Sequence, residues 1–185
     1  MKTSFPTYAK NLSELLCRRE WDDVEKLAQS IAKVWQEGRQ FFLCGNGGSA
    51  ANATHLANDF LYGISSTEKS GLDVESLTAN TSVLTCLAND EGYDEIFSIQ
   101  LEAKAKKGDL LLVLSGSGNS MNVIRALQVG TKLGMTTFAI LGLTGGRCLH
   151  ESQETIYFPG ADMQMSEDLQ LIVGHMCMQY LRIAN

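Results

Sequence analysis

Apolar positions recur along the chain in two rhythms, one at helical spacing and one in short unbroken runs. Over residues 8–36, Leu12, Leu15 and Leu16, then Val24, Leu27, Ile31, Val34 and Trp35 fall at helical spacing with charges on the other faces. This predicts an N-terminal helical arm, broken near Arg19. Apolar runs at 41–44, 110–114 and 136–141, with shorter ones at 74–77 and 155–158, read as buried strands. Between them the helical period returns over 49–62, 82–88, 94–106 and 120–133, with Gly134 as a cap, and a terminal helix starts near Met163. A polar, glycine-bearing loop covers 63–71 and another loop covers 142–146. Strands alternating with helices imply right-handed crossovers and a parallel sheet covered on both faces, an α/β architecture. Ligands of such sheets bind beyond the carboxyl ends of the strands.

Two strand-to-helix junctions carry the chemistry. Ser115-Gly116-Ser117-Gly118-Asn119-Ser120 places three hydroxyls and two glycines between a buried strand and a helix. Hydroxyls and backbone N–H groups at a helix N-terminus donate to one anion, and glycine lets the backbone approach it, so the loop reads as a phosphate cradle. Gly45-Asn46-Gly47-Gly48-Ser49 repeats the arrangement after the first strand. Either loop alone is equally a well-capped turn. The first also fits G-x-G-x-x-A (Gly45, Gly47, Ala50), with Glu75 as the ribose-binding acid of a dinucleotide fold, but that reading leaves the serines at 115, 117 and 120 unused. Neither loop ends in the Lys-Ser/Thr of a Walker A. A phosphorylated, polar small molecule without a nucleotide cofactor uses both.

Composition narrows the partners. The 185 residues, 44% of them hydrophobic, suit one domain over 1–185, with an arm at 1–38 and an α/β core at 39–185. A net charge of −6 without a basic run argues against direct nucleic-acid binding. Five scattered cysteines without C-x-x-C spacing, several of them in apolar runs, read as buried free thiols of a reducing compartment. With neither a signal peptide nor a long apolar span, the expectation is a cytoplasmic protein that does not enter membranes. His55 and Asp59 stand at i and i+4, a spacing that suits two ligands to one divalent ion. His175 sits in an apolar stretch of the last helix, where a lone histidine also reads as a core or interface residue. By helical repeat Asp168 is about 20° round the axis from His175 and Glu167 about 80°. The amphipathic arm and the apolar last helix both read as surfaces for self-association.

Cys44-Gly45-Asn46-Gly47-Gly48-Ser49 with His55, Ala88-Asn89-Asp90 followed by Asp94-Glu95-Ile96-Phe97, and Gly108-Asp109 leading into Ser115 to Ser120 together resemble a sugar isomerase (SIS) domain of the phosphoheptose isomerase branch. The resemblance covers nearly the whole chain. It implies a three-layer, flavodoxin-like sandwich with five parallel strands and a homotetramer with active sites at subunit interfaces, so that Asp59 and His175 meet across subunits. The reaction it implies converts sedoheptulose 7-phosphate to a manno-heptose 7-phosphate, for lipopolysaccharide or capsule. Carried over by position, Ser115, Ser117 and Ser120 hold the phosphate, Asn46 and Ser49 are first-loop contacts, and Asp90 contacts sugar hydroxyls. Asp59 stands where the family has the catalytic glutamate, His175 is the partner histidine, and Glu167 replaces a glutamine and is a second candidate base. His55, Asp59, Glu167 and His175 match the zinc ligands of some members; the alignment favours Glu167 where helical geometry favours Asp168. An arginine of the family is replaced by Gly63. Two other classes fit parts of the pattern: a non-catalytic SIS partner that binds phosphosugar or the replication initiator, and a phosphosugar-sensing regulator, for whose DNA-binding domain the chain has no room.

Overall fold

The computed structural model describes residues 4–64 and 71–184, so the expected polar loop lies mostly outside the described residues. Helices α1 (Phe5–Cys17) and α2 (Asp22–Gln36) lead into strand β1 (Phe41–Gly45) and helix α3 (Gly48–Asn58), which continues as a π-helical turn, Asp59–Gly63. Strand β2 (Val74–Ser76), helix α4 (Thr81–Asp90), a 3₁₀ turn (Tyr93–Glu95) and helix α5 (Ser98–Lys104) follow. Then come β3 (Leu110–Ser115), α6 (Met121–Leu133), β4 (Thr136–Leu141), α7 (Cys148–Glu151), β5 (Glu154–Tyr157) and α8 (Met163–Ala184). The strands form one parallel sheet in the order β2-β1-β3-β4-β5.

β1 and β3 lie at the centre and are buried at every residue, which is why their sequences are apolar without alternation. Side chains alternate across the sheet. Phe41 and Leu43 join α2, α3 and α8 in one core layer, and Phe42 and Cys44 join α5 and α6 in the other. α2 buries five residues, beginning with Val24 and Leu27, whereas α1 buries none completely and rests on the core through Tyr8, Leu12, Leu15 and Leu16. The break between α1 and α2 falls where the pattern predicts it. Arg19 lies there, stacked over Trp21 and Phe158 and paired with Asp23. Gly134 ends α6 in the left-handed conformation, at φ 76°.

Three expectations are corrected. The helix predicted over 94–106 is a 3₁₀ turn followed by a short α5. Glu95 is held by Arg125 of α6 and accepts from Ser98 Oγ at 2.5 Å, which fixes the turn, and Lys106 N–H donates to Asp109 at 2.7 Å instead of continuing the helix. The helix predicted over 49–62 changes its winding at Asp59. The segment after Gly146 contains α7, too short to show a period. All five cysteines are free thiols, but only Cys44, Cys148 and Cys177 are buried as expected; Cys17 and Cys86 sit on exposed faces of α1 and α4. Burial pushes the thiols of Cys148 and Cys177 up to about 12, far from the reactive thiolate range. No described helix is long and apolar enough to cross a membrane.

Candidate functional site

β1 and β3 are neighbours, yet the helices that follow them pack on opposite faces of the sheet. Their loops therefore flank the topological switch point, where an open α/β sheet leaves a crevice beyond its strand ends. The second loop is held from below by 142–148: Gly142 N–H donates to Gly116 O at 3.2 Å, Cys148 N–H to Gly118 O at 2.9 Å and Arg147 N–H to Asn119 Oδ1 at 3.1 Å. The fit leaves no room for a side chain at Gly118, which lies at φ +65° with the Gly145 carbonyl where a Cβ would be.

The serines of this loop are oriented. Ser115 Oγ accepts the Gly118 N–H at 3.0 Å and Ser117 Oγ accepts that of Asn119 at 3.3 Å. With one acceptor position on each oxygen taken by a backbone N–H, the hydroxyl proton stays free to donate to a ligand in the crevice. Ser120 stands at the N-cap of α6 without bonding the helix through its side chain. The set can therefore donate to a ligand atom that accepts, as the oxygens of an ionised phosphate do.

The two loops are joined by a reciprocal amide pair that the sequence did not reveal. Asn46 Nδ2 donates to Asn122 Oδ1 at 2.8 Å and Asn122 Nδ2 returns a bond to Asn46 Oδ1 at 2.9 Å, with Tyr93 Oη donating to the same Asn46 oxygen at 2.9 Å. An asparagine in the first turn of the helix after the cradle was the available signal for Asn122, which is 1% exposed and needs partners there. Asp90, the last residue of α4, lies three residues before Tyr93 in an exposed position. Donation from Asn89, and then from Cys86, holds its carboxyl below the usual range, so it presents a carboxylate.

Below the first loop, α3 and α8 run side by side and bring acid–base groups together. His55 Nε2, His175 Nε2 and Asp59 Oδ2 each lie 3.3 Å from the other two. All three residues come from one chain. The expectation that Asp59 and His175 meet across subunits is therefore corrected: α8 folds back on α3 because Gly174 has no side chain, and a Cβ there would overlap Leu56. His175 is likewise no core histidine, since its side chain is 48% exposed. We expect Gly174→Val to force the two helices apart, at a cost of about 1–3 kcal/mol. That corresponds to a fall in Tm of roughly 2–4 °C per kcal/mol for a chain of this size, with an accompanying loss of turnover; calorimetry and kinetics on the same preparation check both.

Lone pairs on three ligand atoms facing one point need a proton or a cation between them. Tetrahedral zinc with ligands at about 2.0–2.1 Å has ligand-to-ligand edges of roughly 3.3–3.4 Å, the separation found here. His55, Asp59 and His175 can thus hold a metal ion and leave one coordination position open. Glu167 is not among them: its carboxylate lies against Gly48 at the start of α3, where a Cβ would occupy its place. Asp168 faces α1 and accepts from Tyr8 Oη at 2.6 Å, which raises the Tyr8 hydroxyl to about 12. Asp109, quoted with the cradle, lies at the other end of β3 and serves the backbone, accepting from Gln40 and Lys106 N–H. Glu75, the dinucleotide candidate, pairs with Lys104. Gly63 has Met178 Cε 2.8 Å from the position of a Cβ, and Arg182 Nε donates to its carbonyl at 2.9 Å.

A match to the SIS domain family spans residues 4–142. The chain is 40% identical over 174 residues to the phosphoheptose isomerase of Chlorobaculum parvum, a span of 93% of this chain and 83% of that protein. Among solved structures it is similar to a phosphoheptose isomerase from Neisseria gonorrhoeae, with a TM-score of 0.80 and 27% identity over 94% of this chain and 90% of the other. The phosphoheptose isomerase from Francisella tularensis shares the fold, with a TM-score of 0.87 and 21% identity over 96% and 95% of the two chains.

Proposed function

The chain belongs to the SIS domain family, and from that premise we propose that it is a phosphoheptose isomerase, converting sedoheptulose 7-phosphate to a manno-heptose 7-phosphate. The observation that carries the reading is the coexistence, in one chain, of a serine cradle at the carboxyl edge of the sheet and a three-residue acid–base cluster between α3 and α8. An aldose–ketose isomerase needs both, an anchor for the phosphate and groups that move protons between adjacent carbons and their oxygens.

In this mechanism Ser115, Ser117 and Ser120 hold the phosphate, Asn46 and Ser49 bound the first loop, and Asp90 accepts from sugar hydroxyls. The proton at C1 of the ketose leaves to a carboxylate or imidazole, giving an enediol. It returns at C2 while a proton passes from O1 to O2 in step with the change of carbonyl position. Asp59 and His175 lie close enough to share these transfers, with Glu167 as a second carboxylate on the α8 side. His55, Asp59 and His175 would hold zinc; when bound, the ion would supply Lewis-acid polarisation of the substrate oxygens. No nucleotide cofactor is required. The exposed apolar residues Leu61, Met176, Tyr180 and Ile183, together with an α1 that buries nothing fully, support assembly through the arm and α8, as a homotetramer of a single SIS domain with its arm at 1–38. The arrangement suits a cytoplasmic enzyme of heptose biosynthesis. Retention of a carboxylate and both histidines separates it from the non-catalytic partner class.

Incubation of purified protein with sedoheptulose 7-phosphate in D₂O tests the proposal. The aldose should form carrying deuterium at C2 or returning hydrogen in a ratio set by solvent exchange. Absence of conversion, with added zinc and without it, would overturn the reading.

A further inference from the structure

What the first loop presents to a ligand depends on a buried side chain of α8 that no sequence pattern singled out. Gln170 is 1% exposed. Its Nε2 donates to Ser49 Oγ at 3.0 Å, and its Oε1 accepts from Asn52 Nδ2 at 3.0 Å. The Asn52 amide donates a second time, to the carbonyl of Glu167 at 2.9 Å. We infer that Gln170 is a positioning residue of the phosphosugar site: it meets the Ser49 hydroxyl with a donor, not an acceptor, and so leaves the Ser49 proton free for an acceptor on the ligand. The inference rests on the isomerase reading above.

The direction of the Gln170 amide is set by its surroundings. Turned over, it would offer its oxygen to Ser49 and take the serine's proton, but its NH₂ would then face the NH₂ of Asn52, donor against donor. Asn52 is itself held, because its amide nitrogen serves both Gln170 and a main-chain carbonyl. Ser49 is only 4% exposed and Asn52 9%, so bulk water does not relieve a mismatch at either. The same polarity is produced at Ser115 and Ser117 by backbone N–H groups. Ser49 is the second residue of α3, and there a side chain from another helix supplies the donor. Both loops then offer hydroxyl protons to one acceptor-only group, and the α3–α8 contact that assembles the acid–base cluster also sets the polarity of the first loop.

Gln170→Glu exchanges the donor for a carboxylate that accepts the Ser49 proton, and Gln170→Met keeps the volume without the polarity. Calorimetric titration with sedoheptulose 7-phosphate and with inorganic phosphate, alongside KM and kcat, reads the result. We expect Gln170→Glu to weaken both ligands by about tenfold or more, the scale of one hydrogen bond to a charged group. KM should rise by a similar factor while kcat changes much less, and Gln170→Met should show a smaller loss. In a Ser49→Ala background neither substitution should weaken binding further. Wild-type affinity in Gln170→Glu, or a loss of undiminished size in the Ser49→Ala background, would overturn the inference. If Gln170→Glu does not fold, the Gln170→Met and Ser49→Ala pair decides by the same criterion. Failure of the isomerase reading looks different: the wild type would bind phosphate in this Gln170-dependent way and convert no heptulose.

Discussion

Replacing His175 with glutamine should lower kcat for the heptulose by about 10²- to 10⁴-fold, the usual contribution of a positioned acid–base group, while the substrate still binds. Glutamine is close to histidine in size and keeps an N–H near the position of Nε2, so the α3–α8 contact is preserved. It does not titrate near neutral pH, so it cannot pass a proton to or from Asp59, 3.3 Å away. The distinguishing readout is the division between kcat and KM. A lost structural contact would move both, whereas a lost proton carrier moves kcat. Asp59→Asn and Glu167→Gln, made separately, then assign the base, because the first removes a carboxylate from the histidine cluster and the second removes the one lying against Gly48. Full activity in His175→Gln would remove the catalytic assignment.

The other large effect is expected at the cradle. With Ser115, Ser117 and Ser120 all changed to alanine, a bound phosphate loses three hydroxyl donors, and hydrogen bonds to charged groups contribute about 1.5–3 kcal/mol each. Even the lower figure amounts to roughly a thousandfold in Kd, so ligand stabilisation in a thermal-shift titration should vanish at concentrations that saturate the wild type. The three positions differ in what they do for the fold. Ser115 Oγ serves the buried Gly118 N–H, so its loss costs about 1–3 kcal/mol of stability as well. Ser120 makes no side-chain bond to its helix, so Ser120→Ala alone should weaken binding with little change in Tm. Undiminished ligand stabilisation in the triple variant would sink the cradle.

Both loops and all five strands were legible because their causes are local: an unbroken apolar run marks a strand buried on both faces, and glycine and serine after it mark a junction that can approach an anion. What stayed hidden depends on contacts between distant parts of the chain. The meeting of His175 with His55 and Asp59 within one subunit follows from Gly174, whose lack of a side chain says nothing until Leu56 is placed opposite it. Asn122, Tyr93 and Gln170 look like ordinary polar residues in sequence and acquire a role only through partners 76, 47 and 121 positions away. The change of winding at Asp59 was equally silent, since the residues there, Asp-Phe-Leu-Tyr-Gly, satisfy a helical pattern. Glu167 shows the limit of carrying a position across by alignment: its place in sequence suggests a fourth ligand, and the backbone puts its carboxylate at the other end of α3.

The departure of the two helices to opposite faces of the sheet also has a mechanical meaning. α3 belongs to the core layer with α2 and α8, and α6 to the layer with α5, and the sheet separates the two. At the crevice the layers are connected around the strand ends by the Asn46–Asn122 amide pair. A phosphosugar held by Ser49 on one side and by Ser115 to Ser120 on the other is then a rivet through both layers, so that neither opens without releasing the ligand. Occupancy at a hundred times Kd would add about 2.7 kcal/mol to global stability, and with a ligand gripping both halves, as proposed, that protection would reach the amides of the two layers together.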